Sequence, residues 1–356
     1  MAAVDGAVAR SRGLSSEAVA DGWVSSHDLD PAGRLEEWLC LAPKWCETVR
    51  VRDLSRLLTG VAQDRLVERF GPGAEVWCAG LPTLIDVVTQ AWRLRVEGLL
   101  PAGANSVVLS CVSDDGEPFV LKLTPDLTIA AQEAAALNAW ASCRHVVALA
   151  DYDLGRGALL LESVRPGGKL ADDPGGWSLD DVAPMFAELW QPRLIGSDAC
   201  LPELSARVDL VFDLAGRRLR RWPAVNDRIE QGVMERSYAL SRALSLEGPV
   251  GLVHGDLHPG NVLRGEGDRG VVAIDPRPCW GDRATDAVDW MLSDVTDERS
   301  LDWRIDWLAG NVPGVDPARV WAWCQAMAVI VAASMLARRD DDPVGEFLLR
   351  FASTVR

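Results

Sequence analysis

At 356 residues, with 48% hydrophobic and 25% charged side chains, the chain has the make-up of a folded protein with sizeable cores, which excludes a wholly disordered chain or a small disulfide scaffold. A formal net charge of −16 argues against a nucleic-acid partner, whose backbone it would repel, and is explained by plain solubility or by a cationic small-molecule partner. No continuous apolar run reaches the ~18 residues of a membrane span, the first residues do not read as a signal peptide, and a cytoplasmic protein is expected.

Residues 1 to about 34 are rich in Ala, Gly, Ser and Asp and have no sustained period, so they read as a tail. From Leu35 to Phe70 the apolar residues fall at helical spacing, and Gly71-Pro72-Gly73 breaks the pattern. A second amphipathic helix is predicted over roughly 81–94. Next comes a hairpin. Val107 to Val112 and Pro118 to Leu123 flank Asp114-Asp115-Gly116, a favoured turn sequence. Lys122 stands near the end of the second strand, and of 36 lysines and arginines only Lys44, Lys122 and Lys169 are lysine. A helix over about 128–141 follows, carrying Glu133, with Thr128 as its expected cap.

Ala158 to Val164 reads as a further strand, ended by Arg165-Pro166-Gly167-Gly168. Beyond Ser178 the pattern is mostly helical, with helices predicted over 180–190, 204–218, 226–246, 284–293, 299–309, 317–337 and 343–354. The eight cysteines form no CxxC pair and read as reduced thiols packed as small hydrophobes.

One stretch carries chemistry. His254-Gly255-Asp256-Leu257-His258-Pro259-Gly260-Asn261 is H-x-D-L-x-x-x-N, the spacing of a kinase catalytic loop. Fourteen residues on, the apolar strand Val271-Val272-Ala273-Ile274 ends on Asp275. Any one of these residues could be an ordinary turn former. Together, a loop carboxylate, a loop amide and a strand-end carboxylate can converge on magnesium and phosphate, because magnesium takes one or two protein oxygens alongside those of the phosphates.

These motifs, V-H-G-D-L-H-P-G-N-V-L and A-I-D-P-R-P-C-W-G-D-R-A-T-D above all, resemble the aminoglycoside phosphotransferases, and within them the streptomycin 6-kinase and hydroxyurea-resistance kinase group. The resemblance runs from near Arg69 to the C-terminus. It implies an α+β, protein-kinase-like fold of two lobes: an extension over 1–60, a nucleotide-binding N-lobe over 61–164 and a mainly helical C-lobe over 165–356. It implies ATP and Mg2+ as cofactors, Asp256 as the carboxylate that accepts or orients the substrate hydroxyl proton, and Asn261 and Asp275 as magnesium ligands. Lys122 matches the lysine on the nucleotide phosphates, and Glu133 the helix glutamate that holds it. Glu162 and Val164 match the adenine hinge through their backbone groups, with little expected of their side chains.

His258 stands where protein kinases commonly carry a lysine that reaches the transferring phosphate, and it either supplies that charge or only braces the loop. His254 is expected to be structural. Ser106 offers a hydroxyl to phosphate in a hairpin that holds only Gly98 and Gly103. Asp282 and Asp286 are expected to orient the loop and cap the following helix. Asp275 is followed by Pro276 and Pro278, which stiffen the segment, and no A-P-E element follows, so a small molecule is favoured over a protein substrate.

The expected activity is phosphorylation of a hydroxyl on an aminoglycoside-type antibiotic such as streptomycin, by a monomer or homodimer. A metabolite kinase of the choline or homoserine type, and a kinase-fold module that binds without catalysis, remain alternatives. The acidic and aromatic run Asp289, Trp290, Asp294, Asp297, Glu298, Asp302 and Asp306 is either a wall for a cationic acceptor or a solvated helix face.

Overall fold

The computed structural model describes residues 61–101, 105–193 and 201–354, so the tail and the helices expected before Val61 lie outside the described residues. Helix α1 (Val61–Phe70) stops at Gly71, whose φ of 75° favours glycine, and α2 (Gly73–Trp92) begins at once. The start predicted near residue 81 is thus eight residues late. Ala74, Leu81, Ile85 and Val88 form one buried stripe, and Pro82 is accommodated inside the helix.

Strands β1 (Leu94–Leu100), β2 (Val107–Ser113), β3 (Pro118–Leu123), β4 (Leu149–Asp153) and β5 (Ala158–Glu162) make an antiparallel sheet in the order β1-β2-β3-β5-β4. The predicted hairpin is β2–β3, in register from Val107 opposite Leu123 to Val112 opposite Pro118. Sequence reasoning passed over β1 and β4. β4, Leu-Ala-Asp-Tyr-Asp, is an edge strand with little buried surface, so it carries no apolar alternation to read. Helix α3 (Leu127–Ala139) sits between β3 and β4. Its cap is Asp126, which accepts from the N–H groups of Thr128 and Ile129, and not Thr128 itself. An extended residue with a short carboxylate reaches the orphan amides of the first turn, whereas Thr128 is already inside the helix.

The larger lobe holds β6 (Pro166–Lys169), α4 (Leu179–Leu189), α5 (Leu204–Arg221), α6 (Pro223–Asn226), α7 (Val233–Glu247), β7 (Gly251–Val253), β8 (Val262–Gly265), β9 (Val271–Ala273), β10 (Cys279–Gly281), α8 (Val288–Leu292), α9 (Glu298–Asn311), α10 (Pro317–Arg338) and α11 (Pro343–Ser353). The single helix predicted over 226–246 begins only at Val233, after a turn over 227–232 that ends on Gly232 with φ 81°. β6, β8 and β9 form a small sheet, and β7 pairs with β10. These ladders hold out the two loops that follow β7 and β9. The fold is α+β, a β-sheet lobe on a helical lobe.

Helix α10 is long and apolar enough to cross a membrane by composition, which the search for continuous apolar runs missed, yet most of that stretch is buried in the protein. Trp323, Cys324, Ala328, Val329 and Ala332 are sealed in the larger core. The described cysteines are free, and Cys111, Cys143, Cys279 and Cys324 are buried as expected.

Three hydrophobic clusters divide the described residues unequally, the least of them joining Leu219, Val225, Ala333 and Leu336. Of the other two, the smaller joins α1 and α2 to β1, β2 and β3 through Leu66, Leu81, Ile85, Leu109 and Leu121. The larger takes in the helical lobe and also Ala134, Leu137 and Trp140 of α3 and its C-terminus, so α3 packs with the lobe below it.

Asp282 is the polar knot of the helical lobe. Only 2% exposed, it accepts from Arg319 Nε at 2.5 Å and Trp323 Nε1 at 2.8 Å, and caps the turn at Ala284 N at 3.1 Å. Removing it strands a guanidinium and an indole N–H. We expect Asp282→Ala to lower the unfolding free energy in urea by ~3 kcal/mol or more. A loss under ~1 kcal/mol would mean that water replaces the carboxylate without cost.

Candidate active site

β3 and α3 bring together Lys122 and Glu133, and the loop after β9 adds Asp275. Lys122 Nζ donates to Glu133 Oε1 at 2.7 Å, to Glu133 Oε2 at 2.6 Å and to Asp275 Oδ1 at 2.6 Å. Lys122 and Glu133 are buried, and Asp275 is partly open to the cleft. Burial pulls the Lys122 ammonium down, but Asp275 and Glu133 outweigh it and hold the lysine charged. Burial pushes Asp275 up, and the stronger pull of Lys122 and Arg277 leaves it well below the usual carboxylate range. Asp275 has φ 56°, a left-handed conformation that Asp tolerates better than most residues, and Pro276 bars the ordinary helical alternative.

The loop after β7 presents Asp256 and Asn261. Asn261 Nδ2 donates to the Asp256 carbonyl at 3.1 Å and to Asp256 Oδ2 at 2.8 Å. Two acceptors on one side fix the amide so that its oxygen faces away from Asp256. Asp256 is 7% exposed, and its Oδ1 is buried without a hydrogen-bond partner; His258 Nε2 stands 3.8 Å off. Burial pushes the Asp256 carboxyl well up, with Asp275 and Asp289 adding to the shift and Arg207 and Arg277 opposing it. A buried carboxylate oxygen left unsatisfied is costly, and it is suited to receiving a substrate proton.

The loop is braced from below. Both oxygens of Asp286 accept from consecutive amides, His254 N and Gly255 N, each at 2.8 Å. Trp290 Nε1 donates to the Leu257 carbonyl at 2.7 Å. Gly255 has φ 76°, and a Cβ there would fall 2.2 Å from the Arg277 carbonyl, so the two loops touch backbone to backbone. His254 is fully buried beside the Trp140 ring; burial drops it to about 3, and its Nδ1 accepts from Asp256 N at 3.3 Å. It is a neutral brace. His258 Nδ1 accepts from Gly260 N at 3.1 Å, and burial lowers this imidazole to about 4.

Among the described residues no group of three or more His, Cys, Asp or Glu could cage a metal ion. Asn261 and Asp275 offer two oxygens beside an open cleft, which fits magnesium, an ion that retains water and phosphate ligands, and does not fit a dedicated protein cage. Ser106 is buried just before β2, on the sheet face that carries Val108 and its cross-strand partner Lys122. Gly98 lies in β1, and Gly103 falls outside the described residues.

At the end of β5, the Glu162 N–H is taken by the Ala148 carbonyl, while the Val164 N–H has no hydrogen-bond partner among the described residues. The Glu162 side chain, of which little was expected, is a clasp. It receives the Arg269 guanidinium through Nη1 at 2.9 Å and Nη2 at 2.5 Å, and accepts Ala148 N at 2.8 Å. Arg269 also donates to the carbonyls of Arg144 and Val146. Sequence reasoning missed Arg269, and the buried Arg207 and Arg277 beneath Asp256, because in a chain with so many arginines none stands out.

The acidic run divides. Trp290 is buried and Asp289 half-buried, Asp297 caps α9 by accepting from Ser300 N, and Asp302 and Asp306 face solvent. A cleft of about 390 Å³ opens instead between α3 and α5, lined by Ile129, Gln132, Arg207, Asp213 and Arg277 among others. None of Lys122, Asp256, Asn261 or Asp275 lines it, so it adjoins the cluster without containing it.

The comparisons agree with this geometry. Residues 91–340 match the family described as aminoglycoside/hydroxyurea antibiotic resistance kinase. A hydroxyurea phosphotransferase of Kitasatospora aureofaciens is 30% identical over 83% of this chain and 87% of its own length. A streptomycin 6-kinase of Streptomyces glaucescens is 31% identical over 71% of this chain and 82% of its own. In fold, the chain is similar to an ethanolamine kinase of Plasmodium vivax, with a TM-score of 0.52 at 12% identity, covering 86% of this chain and 95% of that one. The chain belongs to the aminoglycoside/hydroxyurea antibiotic resistance kinase family.

Proposed function

We propose that this small-molecule phosphotransferase uses magnesium–ATP to phosphorylate a hydroxyl of a small, hydrophilic acceptor in the cytoplasm, with streptomycin-type aminoglycosides and hydroxyurea as the leading candidates. The single observation that carries the reading is the convergence of Lys122 with Asp275, 153 positions apart in sequence and 2.6 Å apart in space, beside Asp256 and Asn261. The curated relatives support the choice of acceptors.

In this reading each residue has a defined task. Lys122, oriented by Glu133, binds the nucleotide phosphates, and Asp275 with the Asn261 amide oxygen would hold magnesium, whose charge offsets that of the phosphates. The Glu162 carbonyl and the Val164 N–H meet the adenine edge, and Ser106 covers the phosphates. Asp256 Oδ1 accepts the proton of the acceptor hydroxyl as its oxygen attacks. Transfer depends mostly on positioning and on charge, and the rigid bracing by Asp286 and Trp290 supplies the positioning.

The direct test is ATP consumption across a panel of hydroxylated acceptors, beginning with streptomycin and hydroxyurea. Asp256→Ala should bind nucleotide with magnesium almost normally and transfer phosphate at least ~100-fold more slowly. Unchanged turnover would remove Asp256 from the reaction.

His258 is proposed to act on the transferring phosphate through Nε2–H, as a neutral donor. Its low pKa, about 4, arises from burial, so the ring is uncharged across pH 6–8. We expect His258→Ala to lower turnover roughly tenfold to a thousandfold, while ring NMR of the free wild-type protein places the titration midpoint below pH 5. A midpoint near 6.5, the ordinary histidine value, would reinstate the charged donor.

A further inference from the structure

Asp289 is a carboxylate with no evident structural duty. It lies on α8, one residue before Trp290 and three after Asp286, so it sits between the two side chains that brace the catalytic loop at Gly255 and Leu257. Its backbone is in use, since the carbonyl accepts from Ser293 N, but its side chain has no hydrogen bond or ion pair among the described residues. The residue is half-buried, and its charge reaches Asp256 and the buried Cys324.

The other candidate carboxylates are occupied. In the cleft between α3 and α5, Asp209 accepts from Tyr238 and Arg242, Asp213 holds Arg217, and the two arginines Arg207 and Arg277 would repel a cation. Asp286 is filled by two backbone amides, and Asp297 by the start of α9. Among the described residues, Asp289 combines a carboxylate without a hydrogen-bond partner with a place beside Asp256, whose own Oδ1 is buried and unpartnered.

We propose that Asp289 holds a cationic group of the acceptor, an ammonium or a guanidinium, and thereby places the neighbouring hydroxyl on Asp256 Oδ1. This rests on the kinase reading above and adds to it the charge of the preferred acceptor. A charge-assisted hydrogen bond at a partly desolvated site is strong and directional, and an acceptor without the cation would leave the carboxylate uncompensated. The carboxylate is also kept at a cost to the fold, for burial and the neighbouring Asp286 raise it to about 7. An acid with a raised folded-state pKa binds more protons folded than unfolded, so its unfavourable effect on stability grows as pH rises from ~4, the unfolded value, to about 7.

The test compares two acceptors in wild type and Asp289→Asn, which is nearly isosteric: streptomycin, which is cationic, and hydroxyurea, which is not. The ratio of kcat/KM for streptomycin to that for hydroxyurea should fall by about tenfold to a hundredfold in the variant, the size of one charge-assisted hydrogen bond. At pH 8 the variant should melt at or above the wild-type temperature. An unchanged ratio overturns the inference, and so does a variant that melts lower, since the carboxylate would then be structural. A wild-type protein that phosphorylates hydroxyurea but no cationic acceptor overturns it while leaving the kinase reading intact. Absence of turnover with every acceptor removes both.

Discussion

One ammonium group joins the two halves of this protein. Lys122 stands on β3, whose Leu121 and Leu123 belong to the small core, Glu133 on the helix packed on the large core, and Asp275 in the loop leaving the large lobe's own sheet. Three charges drawn out of water are tolerable only if each finds its opposite at hydrogen-bond distance, and the cost of separating them exceeds what their contact returns. The cluster therefore works less as glue than as a gauge. It is satisfied in one relative placement of sheet, helix and loop, and that placement is the one in which Asp256 and Asn261 stand beside Asp275.

Much of this could be read from the sequence because the decisive residues sit in short, backbone-defined settings. His254 to Asn261 are eight consecutive residues whose turn chemistry and proposed role coincide, and Asp275 stands two residues beyond a three-residue strand that is wholly buried. Lys122 is legible because lysine is so rare here. What could not be read depends on approach between distant elements. Arg269 gains its meaning only where the β8–β9 turn meets the loop before β4, and Arg207 only because α5 runs beneath Gly255. The acidic run from Asp289 to Asp306 had two readings, and the fold sorts them residue by residue. The helical period carries Asp302 and Asp306 outward, while Asp289, on the short helix tied through Trp290 to the loop after β7, is half-buried.

The same logic bears on two predicted helices, α10, which runs over Pro317–Arg338 where 317–337 is predicted, and α7, which starts late. Composition alone would make α10 a membrane span, but its apolar surface is used all round because six other helices and the 283–287 turn pack against it. A helix wrapped on every side shows no stripe, and a periodicity search sees only hydrophobicity. Gly232 had the opposite effect. It closes the non-helical stretch 227–232 and, in the left-handed region, sets the start of α7 at Val233.

The Glu162–Arg269 clasp does not act alone. Next to it the 145–147 segment is stitched to β9 by Val147 N to the Ala273 carbonyl at 3.0 Å and Ala273 N to the His145 carbonyl at 2.8 Å, and β4 follows directly. The five-stranded sheet is thus hung, like a door, along its β4–β5 edge, with α3 part of the frame. Any widening of the gap between the lobes has to turn the sheet about that edge. Displacement then grows strand by strand toward β1, so the β1–β2 side sweeps the longest arc while the stretch from Glu162 to Val164, close to the pivot, hardly moves.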